Sequence, residues 1–154
     1  MSHLHAVKSL VENMRSIHIV IFGASGSVGS VTLRRAVQQG YHVTAFTRDT
    51  SRITNEGEEV QAFRGDVPDP TAVENAVRGQ DGVICMLSAG RNGRLRSAGT
   101  CNIVAAMQFA GVKRLICLSS LGVGESRRNL SFFWKHLMFG ILLREAYRDH
   151  VLQE

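Results

Sequence analysis

A run of glycines set between an apolar strand and a helix constrains this chain more than any other feature. Ile17-His18-Ile19-Val20-Ile21-Phe22 is β-branched and nearly all apolar, the pattern of a central strand buried on both faces. Gly23-Ala24-Ser25-Gly26-Ser27-Val28-Gly29 follows at once, and Val28 to Gln39 reads as a helix that Gly40 stops. In that setting each glycine has a physical task. Gly23 takes the tight turn where a Cβ would clash, Gly26 lets a pyrophosphate approach backbone N–H groups, and Gly29 lets the helix pack closely on the sheet. The amides and aligned dipoles of the first helical turn suit the charge of a diphosphate, and Ser25 and Ser27 add hydroxyl donors at the same rim. The spacing alone also fits a plain strand-to-helix turn; the apolar strand before it and the helix after it point to a dinucleotide. A Walker-type phosphate loop is excluded, because no Lys-Ser or Lys-Thr follows the glycines. Val28, Val31, Ala36 and Leu33 are expected to face the core.

The same rhythm repeats downstream. A second strand is expected at Tyr41 to Phe46, a short helix or loop over Thr50 to Glu59, and a third strand at Val60 to Phe63. Pro68 and Pro70 announce a helix over Thr71 to Arg78, with Gly79 as its stop. A fourth strand spans Gly82 to Leu87, a long helix Arg94 to Ala110, and a fifth strand Leu115 to Leu118. Alternating strands and helices with short connections predict an α/β fold: a Rossmann-like, doubly wound parallel sheet with helices on both faces and about five strands. The expected division is an N-terminal extension over 1–16, amphipathic or unstructured, and one NAD(P)-binding Rossmann domain over 17–154.

The end of the second strand bears on which dinucleotide is bound. An NAD site usually carries Asp or Glu there to accept from the ribose hydroxyls. This chain has Thr47-Arg48, and a guanidinium donates without accepting, which suits a 2′-phosphate. Arg52 would reach the same phosphate if the intervening turn folds back. Asp49 keeps NAD open, since a shift of one residue would present its carboxylate instead. Asp66, after the third strand, can accept from an adenine amino group while Val67 covers a ring face, or it can cap the helix beyond Pro68. Leu87-Ser88-Ala89-Gly90 leaves the fourth strand beside the middle of the cofactor, where small residues avoid a clash. Thr100 and Asn102 in the next helix can reach inward.

Composition removes other classes. At 44% hydrophobic and 20% charged residues, the chain is of ordinary globular character. No stretch approaches the roughly 18 uninterrupted apolar residues of a membrane span. The formal charge of +5 is scattered, with no basic run interleaved with aromatics, so nucleic acid is not an expected partner. Cys85, Cys101 and Cys117 are widely spaced and odd in number, which argues against disulfides or a zinc site and suits a cytoplasmic location. His3, His5 and His18 lack ligand-like spacing, and no metal is expected.

With those residues in place, the sequence resembles the atypical short-chain dehydrogenase/reductase group, which includes NmrA-like and flavin reductase (biliverdin reductase B)-like proteins. The carriers are Gly23 to Gly29, Thr47-Arg48-Asp49, Gly65-Asp66-Val67, and Leu115 to Ser120 followed by Gly122. The resemblance implies NADP held through its 2′-phosphate by Arg48, adenine beside Asp66 and Val67, and the ribose–nicotinamide span along Ser88 to Gly90. It also implies Ser119 and Ser120 beside the nicotinamide, and a chain that stops short of the usual C-terminal part of the fold. Phe132 to Phe139 would then be left partly uncovered and favour self-association, or would form the last core helix.

The Tyr-Lys pair of the typical short-chain dehydrogenase is missing: Tyr147 has Val151 four residues later. What remains is Ser120 as a substrate contact and His150 at the pocket rim, each with a plain alternative as a helix cap or a solvent-facing side chain. His136 is equally ambiguous. Two functions follow. One is hydride transfer from NADPH to a flavin, a quinone or a similar conjugated small molecule. The other is a non-catalytic sensor that reads NADP(H) occupancy and binds a regulatory partner.

Overall fold

The computed structural model describes residues 16–53, 57–87 and 95–118. Five strands, β1 (His18–Phe22), β2 (His42–Thr47), β3 (Val60–Arg64), β4 (Gly82–Cys85) and β5 (Leu115–Cys117), form one parallel sheet in the order β3-β2-β1-β4-β5. Among the described residues the helices are α1 (Ser27–Gln38), α2 (Pro70–Val77) and α3 (Leu95–Ala110). A 3-10 turn spans Thr50–Arg52. This is the doubly wound Rossmann-like architecture expected from the alternation. Among the described residues no helix is long and apolar enough to cross a membrane.

β1 is the axis of the core because it has a neighbour on each edge and apolar side chains on both faces. Its residues alternate with the period of two that a strand imposes. Val20 and Phe22 join Phe46, Val83 and Cys85 under α2 and α3, which contribute Val73, Val77, Ile103 and Met107. Ile19 and Ile21 join Val43 and Ala45 under α1, which contributes Leu33 and Ala36. The helices therefore lie on opposite faces, α1 on one and α2 with α3 on the other.

α1 corrects one expectation. Its buried residues are Gly29, Leu33 and Ala36, whereas Val28 and Val31 are 47% and 51% exposed. The helix is rotated so that its glycine, not its valines, lies against the sheet. A Cβ on Gly29 would stand 2.1 Å from the Gly23 carbonyl oxygen, so this is the side of closest backbone approach. That approach fixes the helical phase and turns Val28 and Val31 outward.

Most element boundaries shift by a residue or two from expectation, and two of the shifts bear on the site. β2 ends at Thr47 rather than Phe46, and β4 ends at Cys85 rather than Leu87. α2 is capped by Asp69, whose carboxylate accepts from Thr71 N at 3.0 Å and Ala72 N at 3.3 Å, with Pro70 in the first turn. Asp66 therefore does not supply that cap and is left at the carboxyl edge of the sheet.

Candidate functional site: a cleft at the carboxyl edge of the sheet

The glycine turn leaves β1 and passes within contact distance of the exit of β4. Gly23 has φ +81°, and a Cβ there would lie 2.6 Å from the Met86 carbonyl oxygen, so no side chain fits. Gly26 N donates to Gly23 O at 3.0 Å and Ser30 N to Gly26 O at 2.8 Å, closing the turn onto α1. Gly26 is the N-cap of α1 and has no side-chain acceptor to offer the first-turn amides, and that turn carries no acid. Those N–H groups need an acceptor from outside the helix, and an anion is a suitable one.

A cavity of about 150 Å³ opens in front of this turn. Gly23, Ser25 and Gly26 line it from the turn, Arg48 and Arg52 from beyond β2, Asp66 and Val67 from beyond β3, and Leu87 from beyond β4. The fold thus gathers eight of the expected residues, from four segments, at the carboxyl ends of neighbouring strands. It does so beside β1, where the strand order reverses, the usual location of ligands in open α/β sheets. Ser27, Val28 and Gly29 are not among the lining residues: Ser27 and Val28 are exposed at the start of α1, and Gly29 is buried beneath Gly23. Ser88, Ala89, Gly90, Ser119, Ser120 and His150 lie outside the described residues, as do His136, Tyr147 and the segment 132–139.

Four lining residues were not anticipated: Phe46, Thr47, Gly65 and Met86. Each directly adjoins an expected residue or segment, so the signal was present as position rather than as residue type. Thr47 matters most. It is only 5% exposed, and its Oγ1 lies 3.0 Å from Ser25 Oγ while accepting from Asp49 N at 3.2 Å. Donation from Thr47 to Ser25 leaves the Ser25 proton available to the cavity.

The electrostatics of the wall separate Arg48 from Asp49. The Asp49 carboxylate turns back on its own loop, where Oδ1 accepts from Ser51 Oγ at 2.6 Å and Ser51 N at 3.1 Å. These bonds hold its pKa below the ordinary 3.8, and the charges of Arg52 and Arg64 assist. Asp49 is engaged as the cap of the 3-10 turn and does not line the cavity, whereas Arg48 and Arg52 do.

Comparison with known proteins identifies the group this cleft belongs to. The family described as NAD(P)H-binding matches residues 23–154, from the first glycine of the turn onward. The chain belongs to this NAD(P)H-binding family. Curated relatives include 2-alkyl-3-oxoalkanoate reductase of Stenotrophomonas maltophilia, 33% identical over 115 residues, covering 68% of this chain and 34% of the relative. The nitrogen metabolite regulation-like protein bik4 of Gibberella fujikuroi is 26% identical over 150 residues, covering 86% of this chain and 44% of the relative. Among solved structures, ChuY, an anaerobillin reductase from Escherichia coli O157:H7, superposes with a TM-score of 0.70 at 28% identity, over 88% of this chain and 64% of that one. The chain spans only 12% of the first curated relatives it matches and 61% of the first solved neighbour.

The cleft fits an NAD(P)H-type ligand: its glycines leave room for a diphosphate at the turn, the first-turn amides of α1 have no side-chain cap, and Arg48 and Arg52 line the wall beyond β2. Its rear is tied down by α3. Asn102 Nδ2 donates to Val67 O at 2.8 Å, and the buried Arg96 donates through Nε to Leu87 O at 2.9 Å. Thr100 is buried with its hydroxyl 3.8 Å from Cys85 Sγ. The neighbouring Cys117 thiol and burial push the Cys85 thiol above its ordinary value, which favours the protonated form.

Proposed function

We propose that the chain binds NADP(H) in preference to NAD(H), and that the protein containing it is a reductase of conjugated small molecules such as flavins or quinones. The observation that carries the preference is the division of labour at the end of β2. Arg48 and Arg52 line the cavity, while Asp49, the one carboxylate able to accept from ribose hydroxyls there, is engaged by Ser51. The bound nicotinamide would supply the hydride. The residues of this chain hold and orient it: the Gly23–Gly26 turn takes the diphosphate, Arg48 and Arg52 the 2′-phosphate, and Asp66 with Val67 the adenine end. Reductases among the relatives support the class of reaction. Ser119 and Ser120, which follow Leu118 after β5, and His150 are the proposed contacts of nicotinamide and acceptor.

Calorimetric titration of NADP and NAD into wild type and Arg48→Ala tests the preference. Wild type should bind NADP at least tenfold more tightly, and Arg48→Ala should lose most of that margin, as removal of a charged hydrogen bond of roughly 1.5–3 kcal/mol requires. Equal affinities in wild type would refute it. A regulatory reading has its own support, from the nitrogen metabolite regulation-like relative and from Val151 standing where a lysine would pair with Tyr147. Steady NADPH oxidation with flavin or quinone favours the reductase; tight NADP(H) binding without oxidation favours the sensor.

A further inference from the structure

The cysteines are far apart in the sequence, but the fold brings two of them together. β4 and β5 pair in parallel, and Cys85 and Cys117, the last residues of their strands, are partners in the register. In-register neighbours point to the same face of a sheet, so both thiols stand on the side where Cys85 meets Ile103 and Met107 of α3. Cys85 is buried and Cys117 exposed. The two thiols share a hydrogen bond, which together with burial holds Cys85 above its ordinary value. Adjacent strands lie about 4.8 Å apart, within the range of roughly 4.4–6.8 Å that the Cα atoms of a disulfide span. The Cβ atoms must close to roughly 3.8 Å. Among the described residues β5 is an edge strand with all three of its residues exposed, so it is free to lean toward β4.

We propose that Cys85 and Cys117 are a redox modification site, a dithiol that a hydroperoxide closes to an intrachain disulfide between β4 and β5. Cys117, the exposed member, meets the oxidant. Its sulfur attacks a peroxide oxygen: an S–O bond forms, the O–O bond breaks, and the alcohol leaves with the thiol proton. The Cys85 sulfur then attacks the resulting sulfenic acid at sulfur. The S–S bond forms, the S–O bond breaks, and hydroxide leaves with the Cys85 proton as water. The two thiols give up two electrons, and the hydroperoxide is reduced to an alcohol and water. The first step prepares the second. The largest cause that keeps the proton on Cys85 is its hydrogen bond to the Cys117 thiol, and that partner is gone once Cys117 is a sulfenic acid. The bridge closes directly before Met86 and Leu87, which line the cleft. The inference is independent of which dinucleotide the cleft takes.

Hydrogen peroxide added to the reduced full chain tests the site, with remaining thiols alkylated and the protein digested without reductant for mass spectrometry. The expected major product joins the Cys85 peptide to the Cys117 peptide of the same molecule, with Cys101 still alkylated. Free Cys85 and Cys117 should be lost in equal amounts, and dithiothreitol should return both. Mixed light- and heavy-isotope protein separates bridges within a chain from bridges between chains. Cys85→Ser should trap Cys117 as a sulfenic acid that dimedone labels, whereas Cys117→Ser should leave Cys85 unoxidised at the same dose. Bridges through Cys101, bridges between copies, or wild-type Cys117 driven to sulfinic acid without a bridge would each overturn the proposal. So would Cys85 and Cys117 left unreacted while Cys101 is oxidised. The mapping needs no substitution, so it decides the matter even where a variant fails to fold.

Discussion

The Thr47 hydroxyl stands 3.0 Å from Ser25 Oγ, so a side-chain hydrogen bond joins the end of β2 to the glycine turn after β1. That contact lies in the cavity wall, between the glycine turn and the arginines beyond β2. Thr47→Val keeps the shape and removes the hydroxyl, leaving Asp49 N–H without the acceptor it now has. The expected loss is about 1–2 kcal/mol of stability, with NADP binding weaker by roughly three- to tenfold. Urea unfolding and calorimetry measure the two effects, and Thr47→Ser should restore most of both. No change in either quantity would show that the contact does not organise the site.

Two glycines of the same turn should respond differently to a single added methyl group. At Gly29 the new Cβ would lie 2.1 Å from a backbone oxygen that cannot swing aside; at Gly26 the nearest atom is 3.2 Å away. Gly29→Ala should therefore destabilise by about 1–3 kcal/mol, despite the better helix propensity of alanine. Gly26→Ala should cost less stability while weakening cofactor binding more per unit of stability lost. Denaturation midpoints for the pair decide it: a Gly29→Ala variant as stable as wild type would remove the packing argument.

Acid titration offers a third check. Asp49 is held below 3.8 chiefly by Ser51, so its contribution to stability is present above the unfolded value. That contribution fades as pH falls through the lower folded one. In Ser51→Ala the largest cause is gone, and the Asp49 pKa followed by NMR should rise toward 3.8. An unmoved pKa would mean that the arginines, not Ser51, hold the carboxylate.

Much of the cleft was legible in the residues alone, because glycines and arginines advertise what they do. A tight turn after an apolar strand admits few residues besides Gly23, and Arg48 lay close enough to the end of β2 to be placed. Other features leave no such mark. The phase of α1 is decided by backbone contact at Gly29, which has no side chain for a hydrophobic pattern to register, so Val28 and Val31 drew the stripe to the wrong side. Thr47 was hidden by a strand end set one residue early, since β-branched threonine suits a strand and the turn after it alike. Asp66 was a possible cap for α2, but Asp69 takes that place, since it stands two and three residues before the Thr71 and Ala72 N–H groups it accepts from. Arg96 reached the site from a helix whose polar residues look like ordinary surface until a partner carbonyl is found.

α3 has a role beyond covering the core. Its two hooks, Arg96 on the carbonyl of Leu87 and Asn102 on that of Val67, are six residues apart on one rigid rod. Helical rise alone separates their attachment points by about 9 Å. The helix is in effect a gauge block set between the exits of β3 and β4, and the width of the cleft's far side is cut to its length. Inserting or deleting a residue between the hooks would turn one of them about 100° away from its carbonyl, releasing that side of the cleft without altering any residue that lines it.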